Sequence, residues 1–202
     1  AGRVLNHLKT TDFNLLSING GDKTNAITNL CKIRVCVKNK EAFINDAKEY
    51  LDIIKAEISA REETFCYEIN SFESGTFNAI NKESQNAIIY ALTCMPNGVL
   101  DMSAEIPGLV ETSLNLGILA TSENKTELKT SLRSNKMSAL SALEDRLKTF
   151  FSVLPCEYTT FDKYPSWEFN SNSTLQGLFK EIYEKETGEN LKVEAIHAGL
   201  EC

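Results

Sequence analysis

Several side chains in this sequence could recognise or act on a small molecule. Arg133, in "SLRSNKM", ends a strand-like run and immediately precedes a helix start. A planar guanidinium there can fork onto a carboxylate with two parallel hydrogen bonds, although most arginines simply face solvent. His197, Gly199 and Glu201 lie in "IHAGLEC", just past the strand-like run "KVEAI". Ligands of parallel α/β units gather at the carboxyl ends of strands, so this turn is the best-placed candidate. A lone His–Glu pair is nevertheless short of a metal ligand set and has no nucleophile beside it. Asn25 stands in the glycine turn "GGDKTNAIT", where asparagine is common for local backbone reasons. Asn115, in "TSLNLG", is less ordinary because asparagine is depleted within strands, though a solvated edge would accept it. His7 reads as a helix-surface histidine.

The six cysteines are scattered and form no C-x-x-C pair. Most sit in apolar runs such as "CKIRVCV" and "YALTCM", which favours buried free thiols in a reducing compartment over a disulfide framework or a zinc site. The chain has 202 residues, 42% of them hydrophobic, enough for one large domain or two small ones. Its 21 basic and 28 acidic residues give a net charge of -7, and no Lys/Arg cluster offers a phosphate footprint, so nucleic acid is not an expected partner. No apolar run approaches the roughly 20 residues that cross a bilayer, so no membrane association is expected.

These candidates need elements to position them. "FNLLSI" is strand-like and "CKIRVCV" alternates with period two; with the turn at Gly20-Gly21-Asp22 between them, they read as an antiparallel pair. A helix follows over residues 40–60, capped by Asn39, with Phe43, Ala47, Leu51, Ile54 and Ile58 on one stripe. "TFCYEIN" reads as a returning strand. A second helix spans residues 82–95 behind Asn81, and residues 99–110 read as a loop. The pattern then recurs: strands "TSLNLGILAT" and "TELKTSLR", a helix over residues 136–151, and a returning strand "CEYTTF". Two strand-strand-helix-strand halves, each ferredoxin-like, predict an α+β fold: an antiparallel-rich sheet with helices packed on one face. From about residue 164 the style changes. "YPSWEFNSNS" is a turn-rich linker, and a helix over residues 173–185 turns Leu175, Leu178, Phe179, Ile182 and Tyr183 inward before stopping at Gly188. The strand "KVEAIHA" follows. Helix then buried strand is a parallel α/β pattern, so two domains are expected, residues 1–163 and a piece of a different domain over residues 164–202.

"CMPNGVL…GLVETSLNLGIL", "LRS", "YPSWEFNSNS" and above all "IHAGLEC" closely resemble the bacterial aminoacyl-histidine dipeptidases (Xaa-His dipeptidases), within the zinc exopeptidases that include carboxypeptidase G and aminoacylase. "GGDKTNAIT" also resembles the glycine-glycine…Asn-x-Ile-Pro signature of that superfamily, with Thr28 where proline is usual. The resemblance runs over essentially the whole chain. It implies that residues 1–163 are the lid and dimerisation domain and residues 164–202 the first return into the zinc domain. It further implies a cytoplasmic dipeptidase, a homodimer, two zinc ions held outside this stretch, and a cut at Cys202. Arg133 resembles the lid arginine that binds the substrate carboxylate, and Asn25 the lid asparagine that helps hold it. Gly199 to Glu201 resemble the loop beside the zincs; His197 and Asn115 complete the expected substrate-binding set. No catalytic or metal-ligating residue is expected within the chain, which by itself would be inactive. A stand-alone α+β interaction or ligand-binding module without catalysis is the competing reading.

Overall fold

The structure, a computed structural model, describes residues 1–72, 75–170 and 172–198. The elements in chain order are α1 (Gly2–His7), a 3-10 turn (Leu8–Thr10), β1 (Phe13–Gly20), β2 (Cys31–Val37), α2 (Lys40–Ile58), α3 (Lys82–Cys94), β3 (Gly98–Met102), β4 (Val110–Thr121), β5 (Thr126–Ser134), α4 (Met137–Phe151) and α5 (Thr174–Thr187). The fold is mixed α+β with an antiparallel sheet of order β2-β1-β4-β3, β5 pairing with β4. The chain divides into two compact units, one of Ala1–Pro96, Asn115–Ser131 and Phe150–Tyr158, the other of Asn97–Leu114, Leu132–Thr149 and Thr159–Cys202.

In the first unit β1 and β2 pair antiparallel from Phe13↔Val37 to Gly20↔Cys31. A bulge at Leu16 shifts the register between Leu15 and Ser17. It explains why Phe13, Leu15 and Ile18 are all buried although simple alternation would turn Ile18 outward. These three join Leu5, Leu8, Ala47, Ile89 and Leu119 in one core, with Ile33, Val35 and Val37 of β2 packed against it. The two long helices of this unit begin where the sequence says they should. The Asn39 side chain accepts the Ala42 amide at 3.1 Å, and that of Asn81 accepts the Ser84 amide at 2.8 Å.

The edge of β1 away from β2 is finished mainly by side chains and by the Ile80 backbone. Beyond the single pair Gly20↔Leu119, the Leu15 amide donates to Gln85 Oε1 at 2.8 Å and the Leu15 carbonyl accepts the Ile80 amide at 2.8 Å. The Phe13 carbonyl accepts Lys82 Nζ at 2.5 Å and Gln85 Nε2 at 3.4 Å. Gln85 is itself buried, so its amide is both needed and satisfied. The Thr121 hydroxyl likewise serves Ile18 as donor and acceptor at 3.0 Å.

In the second unit β3 pairs antiparallel with the start of β4, from Gly98↔Leu114 to Met102↔Val110. Its buried residues include Thr112, Leu114, Leu143 and Leu147. The first turn of α4 is held by the linker "YPSWEFNSNS": the Met137 amide donates to Glu168 Oε1 at 3.1 Å, and Lys163 pairs with Glu144 at 2.6 Å.

Several expectations need correction. The halves lack their third strands, so neither completes a ferredoxin-like motif among the described residues. "TFCYEIN" instead returns along α2, where Tyr67 Oη donates to Asp52 at 2.6 Å, and Ile69 packs on the core. "CEYTTF" docks through rings, Tyr158 stacking on Phe151 at 5.9 Å. The stretch expected as a loop contains β3, and "KVEAIHA" is not a strand. α5 starts at its cap, Ser173 accepting the Gln176 amide at 3.3 Å, and ends at Gly188 with φ 72°. Its apolar stripe is not buried, with Leu175 70% and Phe179 63% exposed, because no described element covers it. The cysteines are free but exposed at residues 31, 36, 66, 94 and 156; Cys202 lies outside the described residues. Burial pushes up the thiol pKa of Cys31 and Cys156. Among the described residues no helix is long and apolar enough to cross a membrane.

Candidate functional site

In the second unit Arg133 and His197 come together. Arg133 sits near the end of β5, where Ser134 ties the strand to its surroundings. The Ser134 hydroxyl lies 3.0 Å from that of Thr112 on β4 and accepts the Lys136 amide at 3.1 Å. Arg133 Nη1 donates to the His197 carbonyl at 3.4 Å, a long bond that leaves most of the guanidinium's donors uncommitted among the described residues. Among the described residues no carboxylate lies within ion-pair distance of it. Lys136, the next cation along, is engaged by Glu105 at 3.3 Å and Glu111 at 3.7 Å.

The His197 ring is half-buried, and its Nε2 lies 2.7 Å from the Ser113 hydroxyl on β4. Burial, reinforced by the Arg133 charge, lowers its pKa below the usual histidine value, while a backbone hydrogen bond with Val110 opposes the shift. Gly199 and Glu201, the rest of the "HAGLE" candidate, lie outside the described residues.

In the first unit Asn25 and Asn115 are related through the loop between β1 and β2. Asn115 Nδ2 donates to the carbonyls of Thr24 at 2.7 Å and Ala26 at 2.8 Å, the two neighbours of Asn25. The Thr28 hydroxyl donates to the Gly117 carbonyl at 2.9 Å and the Leu116 carbonyl at 3.2 Å. Asn25 itself is exposed. The loop lies so close on β4 that a Cβ at Gly117 would stand 2.4 Å from Thr24 Cα, and one at Gly21 (φ 73°) would stand 1.7 Å from the Gly117 carbonyl oxygen.

Sequence reasoning missed Ser113, Gly117 and Glu168 as supporting residues, and saw Thr28 only as a departure from proline. One signal was available: Ser113 and Asn115 are polar residues at alternate positions, flanking Leu114 and followed by the apolar run Leu116–Ala120. Among the described residues no group of three His, Cys, Asp or Glu side chains is gathered to hold a metal, so these residues do not fit a zinc centre.

No protein-family model matches the chain. The cytosol non-specific dipeptidase of Escherichia coli (strain K12) is 28% identical over 198 residues, covering 97% of this chain and 41% of that protein. Among solved structures, the aminoacylhistidine dipeptidase from Vibrio alginolyticus matches with a TM-score of 0.88 at 29% identity, covering 98% of this chain and 41% of that one. The chain therefore spans about two fifths of the length of these relatives. Sequence and fold agree along nearly all of its residues, and the chain is homologous to a stretch of these two dipeptidases.

Proposed function

We infer that this chain is the substrate-binding and dimerisation lid of a cytosolic, zinc-dependent dipeptidase that cleaves Xaa-His dipeptides, together with the first segment of its zinc domain. Residues 1–163 are the lid and residues 164–202 the return. The parent acts as a homodimer, with two zinc ions held by residues outside the described part of this chain. Arg133 receives the free carboxylate of the dipeptide and Asn25 helps to hold it, which makes the parent an exopeptidase. His197, Gly199 and Glu201 line the pocket. The chain alone is inactive.

The observation that carries this reading is Arg133. Among the described residues it is half-buried, anchored by one long bond to the His197 carbonyl, and faces no carboxylate. A partly desolvated guanidinium with spare donors is matched by a planar carboxylate. The likeness to dipeptidases supports this reading, since every free dipeptide ends in such a group.

The test is an assay of the full-length protein and of this chain against β-alanyl-histidine and glycyl-histidine, with added zinc, manganese or cobalt. Turnover by the full-length protein and none by the chain is expected. Metal-dependent turnover by the repurified chain, or none by the full-length protein, overturns the reading.

A further inference from the structure

We propose that Asn115, with Thr28, is a positioning residue that fixes Asn25, and is not itself a ligand for substrate. The inference rests on the reading of Asn25 as a substrate contact, and adds the device that makes such a contact usable.

Residues 21–30 form a loop without regular structure, and Ile27 at its tip is 90% exposed. A loop like this is ordinarily mobile. Here, however, the carbonyls on both sides of Asn25 are taken by one amide group, that of Asn115. Both protons of Nδ2 are thereby committed, so that nitrogen has none left for a ligand. Thr28 adds a second anchor from the loop side, its hydroxyl placed between the Leu116 and Gly117 carbonyls. Three consecutive residues of β4 thus hold Thr24, Ala26 and Thr28, while the Asn25 side chain between them stays exposed. A side chain presented to solvent on a backbone fixed at both flanks has little ordering left to undergo when it binds.

The same geometry accounts for Thr28. Where proline stiffens the usual version of this segment through its ring, this chain obtains restraint from a hydroxyl bonded to the neighbouring strand. Gly117 is required because any side chain there would occupy the space of Thr24.

The experiment uses trypsin, for which Lys23 is an exposed target within the loop. Cleavage after Lys23 is followed in the 202-residue chain by mass spectrometry, with the melting temperature measured in parallel. Asn115→Ala and Asn115→Asp should each speed that cut about tenfold, the effect of losing one or two net hydrogen bonds on local opening. Thr28→Val should do likewise and Thr28→Ser should not, because serine keeps the hydroxyl. Unchanged cleavage in Asn115→Asp and Thr28→Val overturns the brace, as does faster cleavage matched by equal acceleration at sites far from the loop.

In the full-length protein, Asn115→Ala should raise KM for free dipeptides more than it lowers kcat, and should add little in an Asn25→Ala background. A full additional loss in that background means that Asn115 acts independently of Asn25 and overturns the proposal. If the tryptic cut accelerates while Asn25→Ala leaves activity intact, the brace stands and the role given to Asn25 fails.

Discussion

The Ser113 hydroxyl stands 2.7 Å from Nε2 of His197 while Arg133 holds the carbonyl of the same histidine, so one residue is gripped at both its ring and its backbone. The hold is built for a neutral imidazole. Burial and the guanidinium charge both disfavour a second positive charge there.

This gives a pH dependence with a definite sign. Above the usual histidine value of 6.5 the ring is neutral in folded and unfolded chains alike, and stability is full. As pH falls through that value, the unfolded chain takes up the proton first and the fold loses stability, until the depressed folded pKa is passed. Melting temperatures between pH 8 and 5 should therefore drop less steeply for His197→Gln, and also for Arg133→Met. Slopes identical to wild type would show that the ring carries no such penalty.

Arg133 should matter to substrate more than to the fold. In the full-length protein, Arg133→Ala should lower kcat/KM for free dipeptides by about 30-fold or more, the cost of a lost desolvated charge pair. Arg133→Lys should not rescue, since it keeps the charge and loses the fork. C-terminally amidated dipeptides should suffer less. Equal losses on both substrates, or a large fall in melting temperature without substrate, would make Arg133 structural.

Gln85 should be a stability residue. Replacing it with methionine fills the space but leaves the Leu15 amide without its acceptor, at a cost of about 1–3 kcal/mol in urea unfolding. Alanine should cost at least as much. A neutral methionine variant would mean that water reaches the β1 edge and Gln85 is dispensable.

The exposed stripe of α5 should tolerate change in this chain. Leu178→Ser and Phe179→Ser remove apolar side chains that are 53% and 63% exposed, so each should shift unfolding by no more than about 0.5 kcal/mol. A loss of several times that size in the same measurement would show that the stripe is covered in solution.

Local signals were the legible ones. Apolar stripes located the helices, with the caps at Asn39 and Asn81, and alternation located β2 from Cys31 to Val37. Individual strands depend on pairing partners distant in the chain, which explains the errors. "TFCYEIN" has strand composition but finds α2 instead of a free sheet edge, because Ile80 and Gln85 already occupy that edge of β1 at Leu15. β3 was missed because Asp101 and a glycine start obscure its alternation, and two irregularities in its register with β4 break the period. The α5 stripe was legible as a pattern, yet a pattern states only that a face is apolar, not that a partner stands opposite. The candidates Arg133 and Asn25 were chosen by motif. Their supports could not, because Ser113 contacts a residue 84 positions away and Asn115 one 91 positions away.

That separation has a kinetic consequence for the β1–β2 loop. β1 and β2 are near neighbours in sequence, and a hairpin of this kind closes on the microsecond scale. The clamp on the loop must wait for β4, whose arrival requires closing a much longer stretch of chain at a greater entropic cost. During synthesis the hairpin leaves the ribosome well before Asn115 exists. The segment bearing Asn25 is therefore loose in every nascent form of the protein and sets only after "SLNLG" has docked, late in folding, when the two strands it joins have long been paired.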